Sequence, residues 1–180
     1  MEAEEKLRLE SVYADRVAAQ EAKDPGYAAR WDRLCAALLR LGGELVVPPR
    51  DPEPQTVEIA TGHAVWVGEA AALMEGKDNS CHLNSAALWA SERVAGLATG
   101  YALSDDDLWR QHSWGLAADG TVVETTEPRR LYAGLELDPR AAWRFVMANA
   151  GPNDVHPTPG RMAMLKGLAR GKPTATVPEA

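Results

Sequence analysis

The sequence predicts an α+β domain in which N-terminal helices pack on a small antiparallel sheet and one further helix, opening at Cys81, is buried against that sheet. Three observations carry this reading. Apolar residues recur at three- and four-residue spacing through residues 2–41, the same period returns after Cys81, and from residue 97 onward it gives way to the two-residue period of strands. At 180 residues the chain can bury about 70% of the surface its unfolded form exposes. Residues 1–150 are therefore expected to form a single α+β domain with a helical segment at 2–41, followed by a Pro- and Gly-rich C-terminal tail at 151–180.

Residues 2–22 are charged, with Leu9, Tyr13 and Val17 at i, i+4 spacing, which predicts a surface helix. Asp24-Pro25 then joins an N-cap residue to a proline suited to the first helical position, and Tyr27, Trp31, Leu34, Leu38 and Leu41 form the stripe of a second helix. Gly42-Gly43 stops it. A short strand is expected at 44–47, and Pro48, Pro49, Pro52 and Pro54 make the next stretch an extended connection. Residues 56–60 and 63–67 are rich in β-branched side chains and are parted by Thr61-Gly62, which predicts a hairpin or two linked strands. Residues 69–75 predict a short helix ended by Gly76, and residues 81–95 a longer one with Leu83, Ala87, Ala90 and Val94 on one stripe. Strands follow at 97–103, 111–118, 121–126 and 130–137, and Asp138-Pro139 opens a last helix that turns Ala142, Phe145, Val146 and Asn149 inward.

Composition narrows the function classes. The net charge of −7 supplies no general attraction for phosphate backbones, and no basic cluster is long, so nucleic acid is not an expected partner. No apolar run approaches the ~20 residues that cross a bilayer, so no membrane association is expected. The first residues lack the basic and apolar regions of a secretory signal, which makes the cytoplasm the expected compartment. Cys35 and Cys81 lie in unlike contexts and read as free thiols. The histidines are His63, His82, His112 and His156, with no Cys-x-x-Cys or His-x-x-x-His pairing, so neither a metal nor another cofactor is expected. Oligomeric state is left open.

Cys81 carries the chemistry. It follows the polar turn Lys77-Asp78-Asn79-Ser80 and opens a helix, where unpaired backbone N–H groups and the helix dipole favour a thiolate. Cys35, between Leu34 and Leu38, reads instead as a small buried apolar residue. A cysteine nucleophile needs a base and a third group that fixes the imidazole. His112, in Gln111-His112-Ser113-Trp114, is the candidate base; His63 has no acidic residue closely following it until Glu69.

Strand parity selects the third group. A two-residue loop at Asp119-Gly120 would set His112 opposite Glu127 and leave Glu124 on the other sheet face. A three-residue turn over Ala118-Asp119-Gly120, with Gly120 left-handed, sets Trp114 opposite Glu124 and brings His112 and Glu124 diagonally onto one face. The second geometry suits Ala-Asp-Gly, and Glu127 stays as the fallback. Asn79 could cap the helix or help the Cys81 N–H hold an oxyanion, Asn84 could touch substrate or face the sheet, and Trp114 could wall the substrate or pack inside. His82 reads as a polar rim residue or a donor to nearby backbone.

Residues 79–126 resemble the catalytic half of the transglutaminase-like and papain-like cysteine enzymes, in which a Cys begins a buried helix, a His opens a strand, often as His-x-Trp, and an acid or amide follows on the next strand. Here Cys81, His112-Ser113-Trp114 and Val123-Glu124-Thr125-Thr126 occupy those places, with Glu where the family usually has Asp or Asn and His82 directly after the Cys. The resemblance implies thiol acyl transfer or amide hydrolysis (amidase, peptidase, deamidase or transglutaminase-like) on a small-molecule or peptide substrate. Two other readings compete: a non-catalytic interaction module presenting Tyr27 and Trp31, and a zinc hydrolase built on Cys81, His63 and His112.

Overall fold

The computed structural model describes residues 2–52, 66–68, 70–74, 76–151 and 154–169. Helix α1 (Ala3–Glu21) buries no residue fully, and its stripe Leu9, Tyr13 and Val17 is half-covered. Helix α2 (Tyr27–Leu39) turns Tyr27, Trp31, Leu34 and Leu38 inward. The two aromatic residues that an interaction module would display are thus 6% and 7% exposed, spent on the core. Asp24 is not the side-chain cap: Gly26, left-handed at φ 88°, precedes α2, and the Glu21 carboxylate accepts from Gly26 N at 2.8 Å and Ala28 N at 2.7 Å.

Strands β1 (Leu45–Val46), β2 (Trp66–Gly68), β3 (Ala70–Leu73), β4 (Gly96–Leu103), β5 (Leu108–Leu116), β6 (Val122–Glu124) and β7 (Leu131–Glu136) form one sheet in the order β2-β7-β4-β5-β6-β3, with β1 added to β5. The expected antiparallel sheet is in fact mixed: β1 runs parallel to β5 and β3 parallel to β6. Both join through long connections instead of tight turns, which is what a parallel pairing needs. Residues 69–75, expected as a helix, contain β3 instead. Ala-Ala-Ala-Leu has high helix propensity, but the open edge of β6 offers backbone partners from Val122 to Glu124, and tertiary pairing overrides propensity. The strand expected at 63–67 is described only at its end, in β2; residues 56–60 and His63 lie outside the described residues.

Helix α3 (Cys81–Ala90) is shorter than the period predicted. Ser91 Oγ donates to Ala87 O at 2.7 Å and Glu92 turns left-handed at φ 58°, so the chain leaves the helix and enters β4. Helix α4 (Pro139–Asn149) is capped as expected, Asp138 accepting from Arg140 N and Ala141 N, and buries Ala142, Phe145 and Val146; Asn149 is only half-buried and donates to Phe145 O. The stretch expected as a Pro- and Gly-rich tail contains a further helix among its described residues. Helix α5 (Pro159–Ala169) docks on α3, with Arg161 stacked 3.9 Å over Trp89 and donating to Trp89 O at 3.0 Å.

Alternation along β4 and β5 divides the core. One sheet face receives α2 against Tyr101, Leu103 and Trp109, and α3 with α4 against Leu97 and Val123. The other gathers Ala98, Ala102, Trp114, Leu116, Val122 and Tyr132, and by strand parity also carries His112 and Glu124. Gly134 makes room there: a β-carbon on it would stand 2.3 Å from Thr99 O and 2.8 Å from the Trp114 ring.

One gap in the ladder positions the site. β4 lines one edge of β5 from end to end, while β1 and β6 share the other edge, β1 at Leu108 and Trp109 and β6 at Gly115 and Leu116. Between them no described strand covers His112 and Ser113. The first residues of α3 fill that gap, so they reach both faces of β5.

Candidate active site

The Ala118-Asp119-Gly120 turn closes as a three-residue loop. Gly120 is left-handed at φ 83°, its N–H donates to Ala117 O at 3.0 Å, and Ala117 N donates to Thr121 O at 2.9 Å. Leu116 then faces Val122 and Gly115 faces Val123, which continues to Trp114 opposite Glu124. His112 Nε2 lies 2.8 Å from Glu124 Oε2. That same oxygen accepts from the Tyr132 hydroxyl at 2.6 Å, and Oε1 accepts from Thr125 N, Thr126 N and Thr126 Oγ1 at 2.7, 2.8 and 2.9 Å. Burial pushes the Glu124 carboxyl up, but these donors overcome it and hold its pKa at about 2. Glu127, the fallback, is exposed on the rim and pairs with Arg129 at 2.8 Å.

Cys81 is half-buried at the first position of α3. No side chain caps this helix: Ser80 Oγ donates to Asp78 O, and Asn79 is exposed and left-handed at φ 54°. The cap that Asn79 could have supplied is therefore not made. Asn84 does the holding instead. Its Oδ1 accepts from Lys77 N at 3.0 Å and its Nδ2 donates to Lys77 O at 2.8 Å, so one side chain ties the pre-helix loop to α3. Both ends of the Asn84 amide are thus spent on backbone, and Asn84 is not among the residues that line the cleft over Cys81.

With Nε2 committed to Glu124, the other imidazole nitrogen of His112 is the one that can serve Cys81; the two side chains line one cleft and shift each other's titration. Burial raises the thiol, but hydrogen bonds from His112 and His82 reverse it and bring Cys81 down to about 5. Burial likewise opposes a charge on His112, and bonding to Cys81 and Glu124 lifts it to about 9. The two shifts run in the directions that favour a thiolate beside an imidazolium. Cys35 provides the contrast, since burial without a cationic partner pushes its thiol up to about 12.

Trp114 is fully buried, stacked at 6.3 Å on the His112 ring and edge-on at 5.1 Å to Tyr132. It supports the imidazole from behind and, fully buried, follows the packing alternative instead of the substrate-wall one. Sequence reading also missed two neighbours. Tyr132 was invisible because its meeting with Glu124 depends on β7 pairing with β4, Ala102 opposite Tyr132, a long-range match that local pattern does not carry. His82, read as a rim residue, places Nδ1 2.7 Å from Ser113 Oγ; its signal was its position beside Cys81.

A cleft of about 390 Å³ opens over the sulfur, walled by Asn79, Gln111, Thr126 and Arg129 along with Cys81 and His112. Gln111, which parity sends to the opposite sheet face from His112, still reaches this wall because the β5 edge is uncovered there. Among the described residues no group of three or more His, Cys, Asp and Glu is arranged to hold a metal ion, and no helix is long and apolar enough to cross a membrane.

No protein-family model matches the chain, and neither a curated protein nor a solved structure matches it.

Proposed function

We propose that this chain is a cysteine enzyme that forms a thioester on Cys81 and resolves it by hydrolysis or by transfer to an amine, in the manner of the transglutaminase-like and papain-like enzymes it resembles. The observation that supports the reading is a thiol and an imidazole on the wall of one cleft, the imidazole bonded to a buried carboxylate that five donors satisfy. A carboxylate so completely satisfied is a rigid orienting group and an unsuitable proton carrier. That fits a part in which Glu124 holds the ring and His112 moves the proton.

In the proposed reaction the Cys81 thiolate attacks the carbonyl carbon of an amide or ester, and the carbonyl electron pair moves onto oxygen. First-turn N–H groups of α3, uncapped by any side chain, and the Asn79 amide at the cleft wall are the donors for that oxyanion. As the tetrahedral species collapses, the bond to the leaving nitrogen or oxygen breaks and His112 gives that atom its proton. A water or amine then enters, loses a proton to the now neutral His112 and attacks the thioester; the carbon–sulfur bond breaks and the thiolate–imidazolium pair is restored. The mixed charges around the cleft, Arg110 and Arg129 against Asp78 and Glu127, suit a polar small molecule or a short peptide.

The test is an acyl-donor panel of activated esters and anilides with neutral, acidic and basic acyl groups, read by intact and peptide mass. Acylation of Cys81, lost in Cys81→Ala and followed by turnover, is expected. Acyl groups found only on Cys35, or on no cysteine, would overturn the proposal.

A further inference from the structure

The start of α3 brings a second imidazole to the sulfur. His82 Nδ1 lies 3.9 Å from Cys81 Sγ and 2.7 Å from Ser113 Oγ. Phe145 meets the same ring edge-on, with 5.6 Å between centroids. Ser113 is fully buried, so its hydroxyl is a fixed point in the wall of the protein. Consecutive helix residues point about 100° apart, and two of them serve one strand here only because α3 begins in the β5 gap. Cys81 turns to His112 on one face, and His82 turns to Ser113 on the other.

Resting on the thiol chemistry proposed above, we infer that His82 is a positioning residue for the nucleophile: its Nδ1–H, aimed by Ser113 and Phe145, is a second donor to the Cys81 thiolate beside the one from His112. The short distance to Ser113 Oγ gives that N–H an acceptor to rest on when the sulfur carries no charge. As a thioester, Cys81 is a poor acceptor and the N–H stays with the hydroxyl. When negative charge returns to sulfur, on deacylation, the donor is already within reach of it. His82 thereby stabilises the thiolate both as nucleophile and as leaving group, without exchanging a proton with substrate. The charged groups around the sulfur are His112 and Arg110 on β5, His82 on α3, Asp78 before it, and Glu127 and Arg129 beyond β6. Among these described residues, His82 is in hydrogen-bond reach of the thiol, and the two imidazoles are the groups that lower it.

The experiment is the pH profile of Cys81 alkylation by iodoacetamide, with the labelled peptide identified by mass, for the wild-type chain, His82→Ala, His82→Asn and Ser113→Ala. Loss of one donor to a charged acceptor should move the midpoint upward and slow alkylation on the acid limb roughly tenfold in His82→Ala. Ser113→Ala removes the acceptor that competes for this N–H while sulfur is uncharged, and should move the midpoint the opposite way, downward. His82→Asn, whose amide N–H takes the place of Nδ1, should restore the wild-type midpoint, which a merely structural role for the ring would not do. If His82→Ala fails to fold, the contrast between His82→Asn and Ser113→Ala carries the same comparison. Superimposable profiles in a fast-reacting wild-type background would overturn the role of His82 and leave the cysteine-enzyme reading standing. A wild-type midpoint at the free-thiol value would overturn that reading itself.

Discussion

Glu124 is the residue on which the site's electrostatics turn. It is 1% exposed, yet ionised, because Tyr132, Thr125, Thr126 and His112 satisfy both oxygens. Glu124→Gln removes the charge that sustains the imidazolium and should lower the single-turnover acylation rate by roughly a hundredfold or more. Tyr132→Phe deletes one of five donors and should cost roughly tenfold at most. Equal rates in Glu124→Gln and wild type would show that the carboxylate does not orient the base. The same group sets an acid limit on stability. Its pKa falls from 4.5 in the unfolded chain to about 2 in the native state, so its contribution is complete above 4.5 and drains away as pH falls through about 2. Urea midpoints measured across that range should decline in the wild-type chain and decline less in Glu124→Gln. At this scale the sequence was informative: period-two alternation and Ala-Asp-Gly together placed His112 and Glu124 on one face. It was silent on Tyr132, whose partner is chosen by sheet pairing.

Among the elements, α3 matters most, and both of its ends are fastened from elsewhere. At its N-terminus Asn84 grips the backbone of Lys77, and Met74 N and Gly76 N donate to Glu124 O and Thr125 O at 2.8 and 3.0 Å. The loop that presents Cys81 is thereby built onto the strand that presents Glu124. Its C-terminal end is held by α5, through Arg161 on Trp89 O at 3.0 Å and Val94 O at 3.4 Å and its stacking over the Trp89 ring. Arg161→Ala should therefore lower unfolding free energy by roughly 2 kcal/mol, read as a shifted urea midpoint. An unchanged midpoint would mean that α5 rests on the domain without supporting it. Residues 151–180 read as a tail because they are rich in Pro and Gly, and composition does not register one arginine that finds two carbonyls. The helix expected at 69–75 failed for a related reason: the Ala-rich run states a preference, and the free edge of β6 outweighs it.

At the scale of the molecule, the described helices that enter the core pack on one face of the sheet and the His112–Glu124 pair lies on the other, with the thiol reaching it through the gap between β1 and β6. The α+β class and the helical front were legible from period alone. The mixed sheet was not, since β1 and β3 join it by pairings that span the chain. A net charge of −7 does nothing to favour a thiolate, so the low Cys81 pKa is a local product of two imidazoles against burial. Because Cys35 is raised to about 12 and Tyr27 also to about 12, Cys81 is the cysteine expected to ionise well below them. The most direct measurement is an ultraviolet titration of thiolate absorbance, wild type minus Cys81→Ser. The account predicts that the difference signal is already present at neutral pH and disappears only as pH falls through about 5, and that His112→Ala moves this transition upward. A signal that first appears near 9, the ordinary thiol value, and ignores His112→Ala would contradict it.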